Sequence, residues 1–173
     1  MRALLVSLVV VVLLALCPLG GVTPPLVMSG GAGCLELGPR RLAWGASPVD
    51  VRLASGEHLR GVWVPAGPDA PLVLHFLGSS GSVTIPQSAQ GLSFDIDDLF
   101  GALRERGYAS LAFDYRGVGA SDGERDPRQV PEDALAMWNE ALRRVDGDAS
   151  RITLRGMSLG TLALASLLER GAA

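Results

Sequence analysis

The residues best suited to chemistry lie near the end of the 173-residue chain, at Gly156-Met157-Ser158-Leu159-Gly160. A short apolar segment (151–154) precedes them and a second (161–170) follows. Strand, sharp turn and helix in that order would hold Ser158 in a strained backbone conformation. Such strain costs about 1–3 kcal/mol and persists only where the surroundings fix it. The flanking glycines remove β-carbons that would collide in so tight a turn. The Ser158 hydroxyl would then stand at the carboxyl edge of a sheet. The Leu159 N–H, at a helix N-terminus, would point to where an oxyanion forms. These are the requirements for nucleophilic attack on a carbonyl carbon. The same five residues also fit a plain strand-to-helix turn whose serine caps the helix.

A serine nucleophile needs a base to take its proton and an acid to orient that base. Fifteen residues follow Ser158, and they contain no histidine and one acid, Glu169. Both histidines, His58 and His75, come earlier. His58 follows a turn far from where the base should sit, and His75 reads as a core or strand-end residue on the same face of a strand as Leu77. The expectation is therefore a chain holding the nucleophile but not a whole triad, the amino-terminal part of a longer protein. The strand over 151–154 would then be a sheet edge.

The elements that would position Ser158 alternate strand and helix. Alternating apolar residues predict strands over 49–54 and 59–64, joined at Ser55-Gly56-Glu57 as a hairpin. Residues 72–76 (LVLHF) and 109–113 (ASLAF) are near-continuous apolar runs, the pattern of strands covered on both faces. The 3.6 spacing of Ile96, Leu99, Phe100 and Leu103 predicts a helix over 95–106, with acids in its first turn and arginines in its last. Ala134, Leu135, Trp138, Ala141, Leu142 and Val145 predict another, starting at Pro131 and stopped by Gly147. The order β-β-β-α-β-α-β-α implies an α/β fold, a mostly parallel sheet with right-handed crossovers and helices on both faces.

From about residue 49 the chain resembles the α/β-hydrolase superfamily, near its serine aminopeptidase and lysophospholipase-like branch. Three segments carry the resemblance: the loop His75-Phe76-Leu77-Gly78-Ser79-Ser80-Gly81, the run Asp114-Tyr115-Arg116-Gly117-Val118-Gly119-Ala120-Ser121-Asp122-Gly123, and the turn at Ser158. The second is the most specific. The match spans roughly the first half of a typical family domain, residues 48–173 here. The resemblance implies that Ser158 is the nucleophile and that the backbone N–H groups of Leu159 and Ser79 form the oxyanion hole. It implies cleavage of an ester, thioester or amide through an acyl-enzyme, on a small-molecule, lipid-like or peptide-like substrate, with no cofactor and no metal. The family's His-Gly pair reads Leu77-Gly78 here, so the usual loop-supporting histidine is absent. A non-catalytic binding relative or an inactive truncated product is the alternative reading.

Composition removes other classes. With 48% apolar and 19% charged residues the chain can bury a core, which excludes disorder as the main state. A net charge of −3 and no basic stripe argue against a nucleic-acid partner. Cys17 and Cys34 alone make no disulfide scaffold, and with two histidines they make no metal cluster. Gly117-Val118-Gly119 starts a dinucleotide-type pattern, but Asp122 stands at its third glycine position and no acid ends a strand about 20 residues on. Residues 1–34 read as an address. Arg2 and the apolar run 3–17, followed by Pro18, Gly20 and Gly21, predict a signal peptide, lipoprotein signal or membrane anchor, with membrane association through residues 3–22 and export as the expected location.

Overall fold

The computed structural model of the chain describes residues 37, 39–85 and 96–172. The address segment read at residues 1–34 lies outside them. Among the described residues no helix is long and apolar enough to cross a membrane.

Five strands form one sheet: β1 (Ser47–Arg52), β2 (His58–Val64), β3 (Leu72–Phe76), β4 (Ala109–Phe113) and β5 (Ile152–Gly156). Their spatial order is β1-β2-β4-β3-β5. β1 and β2 pair antiparallel, as the hairpin reading expected, and β2 pairs antiparallel with β4. β3 pairs parallel with both β4 and β5. Four strands therefore share one direction and β2 alone opposes them, a mixed sheet. Among the described residues four α-helices accompany it: α1 (Pro39–Ala43), α2 (Ile96–Glu105), α3 (Val130–Arg144) and α4 (Leu159–Glu169).

The central strands are buried because they are apolar throughout. Every residue of β3 and of β4 is buried. Burying a leucine or phenylalanine side chain contributes roughly 1.5–3 kcal/mol, and Leu72, Leu74, Phe76, Leu111 and Phe113 are all fully covered. Helix α3 buries Ala134, Met137, Trp138 and Ala141, a stripe at helical spacing. It packs against α4, and both pack on β3. Phe100 of α2 meets His75 of β3 edge-on at 5.2 Å from the other face. Helix α1 has no counterpart in the sequence reading, because five residues are too few for a periodic pattern. It is held by contacts to α2: Arg40 to Asp98 at 2.7 Å, Arg41 to Asp97 at 2.8 Å, and Trp44 beside Gly101.

Two boundaries differ from expectation in ways that matter for the site. β5 extends to Gly156, because Gly156 pairs in register with Phe76, while Arg151 belongs to a single 3-10 turn at Ala149–Arg151. α4 starts at Leu159 rather than at Thr161. The strand therefore runs to within one residue of Ser158, and the helix begins immediately after it. β5 is an edge strand, as expected, with only β3 beside it among the described residues. Its residues are partly exposed where those of β3 are buried. Leu99 and Leu103, on the helix face that their spacing shares with Ile96 and Phe100, line an open groove with Val73, Tyr108 and Leu154 along this edge.

The start of the loop after β4 is fixed by two buried side chains. Asp114 is fully buried. It accepts hydrogen bonds from Ser82 Oγ at 2.6 Å, from the Val83 N–H at 2.7 Å, and from the Thr84 hydroxyl. Arg116 is buried and donates to Asp133 of α3 at 2.6 Å, to Glu132 at 2.6 Å and to Glu57 of the hairpin turn at 3.2 Å. The Arg116 N–H also donates to Asp133 at 3.0 Å. Loop, hairpin and α3 thus converge on one guanidinium.

Removing Asp133 leaves that guanidinium and a backbone N–H without their buried acceptor. Asp133→Ala is expected to lower the unfolding free energy by roughly 3 kcal/mol in urea denaturation. Arg40→Ala breaks an exposed pair and is expected to cost under about 1 kcal/mol in the same assay. Burial pushes the Asp114 carboxyl up from its ordinary value to about 6, against the opposing pull of its hydrogen bonds. The folded state therefore holds this proton to higher pH than the unfolded chain does. Its contribution is greatest below pH 4 and is lost as pH rises to about 6, a fall of about 3 kcal/mol. Carbon-13 titration of the Asp114 carboxyl should show a midpoint near pH 6.

Candidate active site

Ser158 occupies the single residue between the Met157 bend and α4, with φ 52° and ψ −116°. Residues with a β-carbon rarely adopt positive φ, and the conformation costs on the order of 1–3 kcal/mol. Its surroundings hold it there. The Met157 N–H donates to the Phe76 carbonyl at 3.1 Å, and the Gly160 N–H donates back to the Met157 carbonyl at 2.8 Å. The Thr161 N–H and hydroxyl both donate to the Ser158 carbonyl, at 2.9 and 2.6 Å.

Both flanking glycines are sterically required. A β-carbon at Gly160 would lie 2.1 Å from the Phe76 carbonyl oxygen, and one at Gly156 would lie 2.7 Å from the Gly160 carbonyl oxygen. In both cases the obstacle is backbone, which cannot swing away. The turn brings α4 down onto the end of β3, and only glycine fits the contact.

The Ser158 residue is exposed, and its side chain makes no capping hydrogen bond to α4. A serine that merely capped the helix would accept from the N–H two or three residues on. Leu159 is the first residue of α4, so its N–H has no acceptor within the helix.

The loop after β3 lies beside this turn. A β-carbon at Gly78 would sit 3.5 Å from Ser158 Cβ and 3.4 Å from Met157 Cε. Ser79 follows directly and is exposed. Ser79, Leu159, Tyr115, Val118, Arg125 and Val130 line a small pocket of about 120 Å³. The structure thus brings Ser158, Ser79 and Leu159 to one corner of the carboxyl edge of the sheet. Tyr115 donates its hydroxyl to the Leu77 carbonyl at 3.3 Å, and burial pushes that phenol above its ordinary range, so it stays a neutral donor.

Neither histidine joins them. His58 sits on β2 and bonds through Nδ1 to Asp50 of the neighbouring strand. His75 is wholly buried, with Nε2 3.3 Å from Ser110 Oγ. Burial, reinforced by the nearby Arg155 charge, lowers its pKa to about 3, so it is neutral. It is a core histidine, as the strand spacing suggested. Among the described residues no group of three or more histidine, cysteine or carboxylate side chains is arranged to hold a metal ion.

Several supporting residues escaped the sequence reading. Asp114 and Arg116 brace the glycine-rich loop through Ser82, Thr84, Glu57 and Asp133, partners that no local pattern in the sequence signals. Arg125 donates to the Ser79 carbonyl. Its one sequence cue is its place two residues after the last glycine of the loop.

No family model matches the chain. A 62-residue stretch is 45% identical to the uncharacterized 31.7 kDa protein of the traX-finO intergenic region of Escherichia coli, covering 34% of this chain and 22% of that protein. Among solved structures the fold is similar to the esterase Pf2001 of Pyrococcus furiosus, with TM-score 0.61 and 23% identity over 77% of this chain and 47% of that one. It is also similar to the α/β hydrolase GrgF from Penicillium sp. sh18, with TM-score 0.52 and 27% identity over 70% of this chain and 40% of that one. The chain spans less than half the length of each of these proteins. The chain has an α/β-hydrolase-like fold.

Proposed function

We propose that Ser158 is the nucleophile of a serine hydrolase that cleaves an ester, thioester or amide. The observation that carries this reading is its backbone, held at φ 52° on an exposed turn with the hydroxyl left out of helix capping. Strain maintained without a structural use for the side chain points to function. Attack by Ser158 Oγ on the carbonyl carbon would form the acyl-enzyme and break the bond to the leaving group. The serine proton would pass to a general base and then to that leaving group. The base and its orienting acid lie outside the described residues. The N–H groups of Leu159 and Ser79 would take the charge that develops on the carbonyl oxygen, a contribution of about 10²–10³ in rate for each donor.

The pocket beside Ser79 and Leu159 is small and largely apolar, which suits a short acyl or alkyl group. Resemblance to the serine aminopeptidase and lysophospholipase-like branch adds lipid-like and peptide-like substrates. The apolar run over residues 3–17 supports export or membrane anchoring as the setting.

A fluorophosphonate probe is expected to label the full-length gene product at Ser158 and to leave Ser158→Ala unlabelled, read by mass spectrometry of the modified peptide. Well-folded full-length protein that resists the probe would favour the binding-protein reading instead. Gly160→Ala places a methyl group on the Phe76 carbonyl. It is expected to lose labelling and to cost about 3 kcal/mol of stability. Gly107→Ala, at φ +81° in open space, is expected to cost only about 1 kcal/mol and to label normally.

A further inference from the structure

We propose that Arg125 is a positioning residue for the oxyanion hole, pinning the loop that carries the Ser79 N–H. The inference rests on the reading of Ser158 and Ser79 given above.

The N–H in question belongs to the peptide between Gly78 and Ser79. The carbonyl of that same peptide, Gly78 O, accepts from the Gly81 N–H at 3.1 Å. The Leu77 carbonyl, on one side, accepts from Tyr115 Oη at 3.3 Å. The Ser79 carbonyl, on the other, accepts from Arg125 Nη2. The peptide is thus held at its own carbonyl and flanked by two more anchored carbonyls, whose side-chain donors both come from the segment after β4. Without Arg125 the Leu77 and Gly78 anchors remain, while the Ser79 carbonyl loses its side-chain donor and residues 79 and 80 are exposed.

Arg125 reaches Ser79 because its own backbone is held in place. A β-carbon at Gly117 would lie 2.2 Å from Arg125 N and 2.5 Å from Glu124 C, at φ +68°. The loop folds back on itself there, with the Gly117 N–H donating to the Asp122 carbonyl at 2.9 Å. Next to Gly117, Arg116 is fastened to Asp133 of α3. A rigid line of contacts therefore runs from α3 through Arg116 and Gly117 to Arg125, and across the pocket to Ser79. The glycine of the Asp114–Gly123 motif thereby serves the oxyanion loop, which it does not itself touch.

A donor displaced by a fraction of an ångström stabilises a transition state poorly while leaving ground-state binding nearly intact. Arg125→Ala in the full-length protein is expected to lower kcat for an activated p-nitrophenyl ester about 10- to 100-fold, with KM within about twofold. Arg125→Lys keeps a cationic donor and is expected to recover most of that loss. A kcat within twofold of the parent, or a change confined to KM, would overturn the proposal. Ser158→Ala separates the two readings, since it abolishes turnover and probe labelling while Arg125→Ala labels slowly. Should the parent protein resist the probe, amide hydrogen exchange over residues 77–81 still decides. Faster exchange at 79–81 in Arg125→Ala sustains the tether, and unchanged exchange refutes it.

Discussion

The contact between Gly160 and the Phe76 carbonyl is the constraint on which the site depends. It exists because β5 pairs with β3 in parallel and stays in register to its last residue. A helix that must start one residue after the bend, and cross the end of the neighbouring strand, leaves no room for a β-carbon. Ser158 is then forced into its unusual conformation by the pieces on either side. The cost is local. The stability that offsets it comes from the buried strands β3 and β4 and the helices packed on them.

A second layer of constraint is polar. Asp114 and Arg116 are buried charged-type residues, and neither is solitary. Asp114 gathers donors from the segment after β3, and Arg116 gathers carboxylates from the hairpin turn and α3. Buried groups of this kind add little net stability but make alternative loop arrangements expensive. Their effect is to give one defined geometry to the glycine-rich loop, whose glycines would otherwise allow many.

How much of this was legible in the sequence follows from the range of the interactions. The strands at 72–76 and 109–113 were readable because continuous apolar runs have one sensible use, and the hairpin because alternation and a turn coincide. The strained serine was readable because two glycines at fixed spacing between strand and helix have a steric reason. The short helix α1 was not readable, since it is made by Arg40, Arg41 and Trp44 meeting α2 some sixty residues away. The same holds for Ser82, Thr84 and Asp133, whose roles exist only once β3, β4 and α3 are assembled. Leu99 and Leu103 have the spacing of core residues, yet periodicity reports which way a side chain faces and not whether anything covers it.

Strand direction divides the molecule into two rims. With β1, β3, β4 and β5 all pointing one way, the segments at 53–57, 77–85, 114–126 and 157–158 emerge together at the carboxyl rim. The segments at 65–71, 106–108 and 145–151 emerge at the other. The first rim holds Ser158 and Ser79, and its loops brace one another. The second is made of exposed turns such as 67–69 and 146–148. Affinity tags, reporter domains or new chain ends spliced into those turns would leave the corner around Ser158 untouched, so the fold offers a built-in handle for engineering on the opposite side.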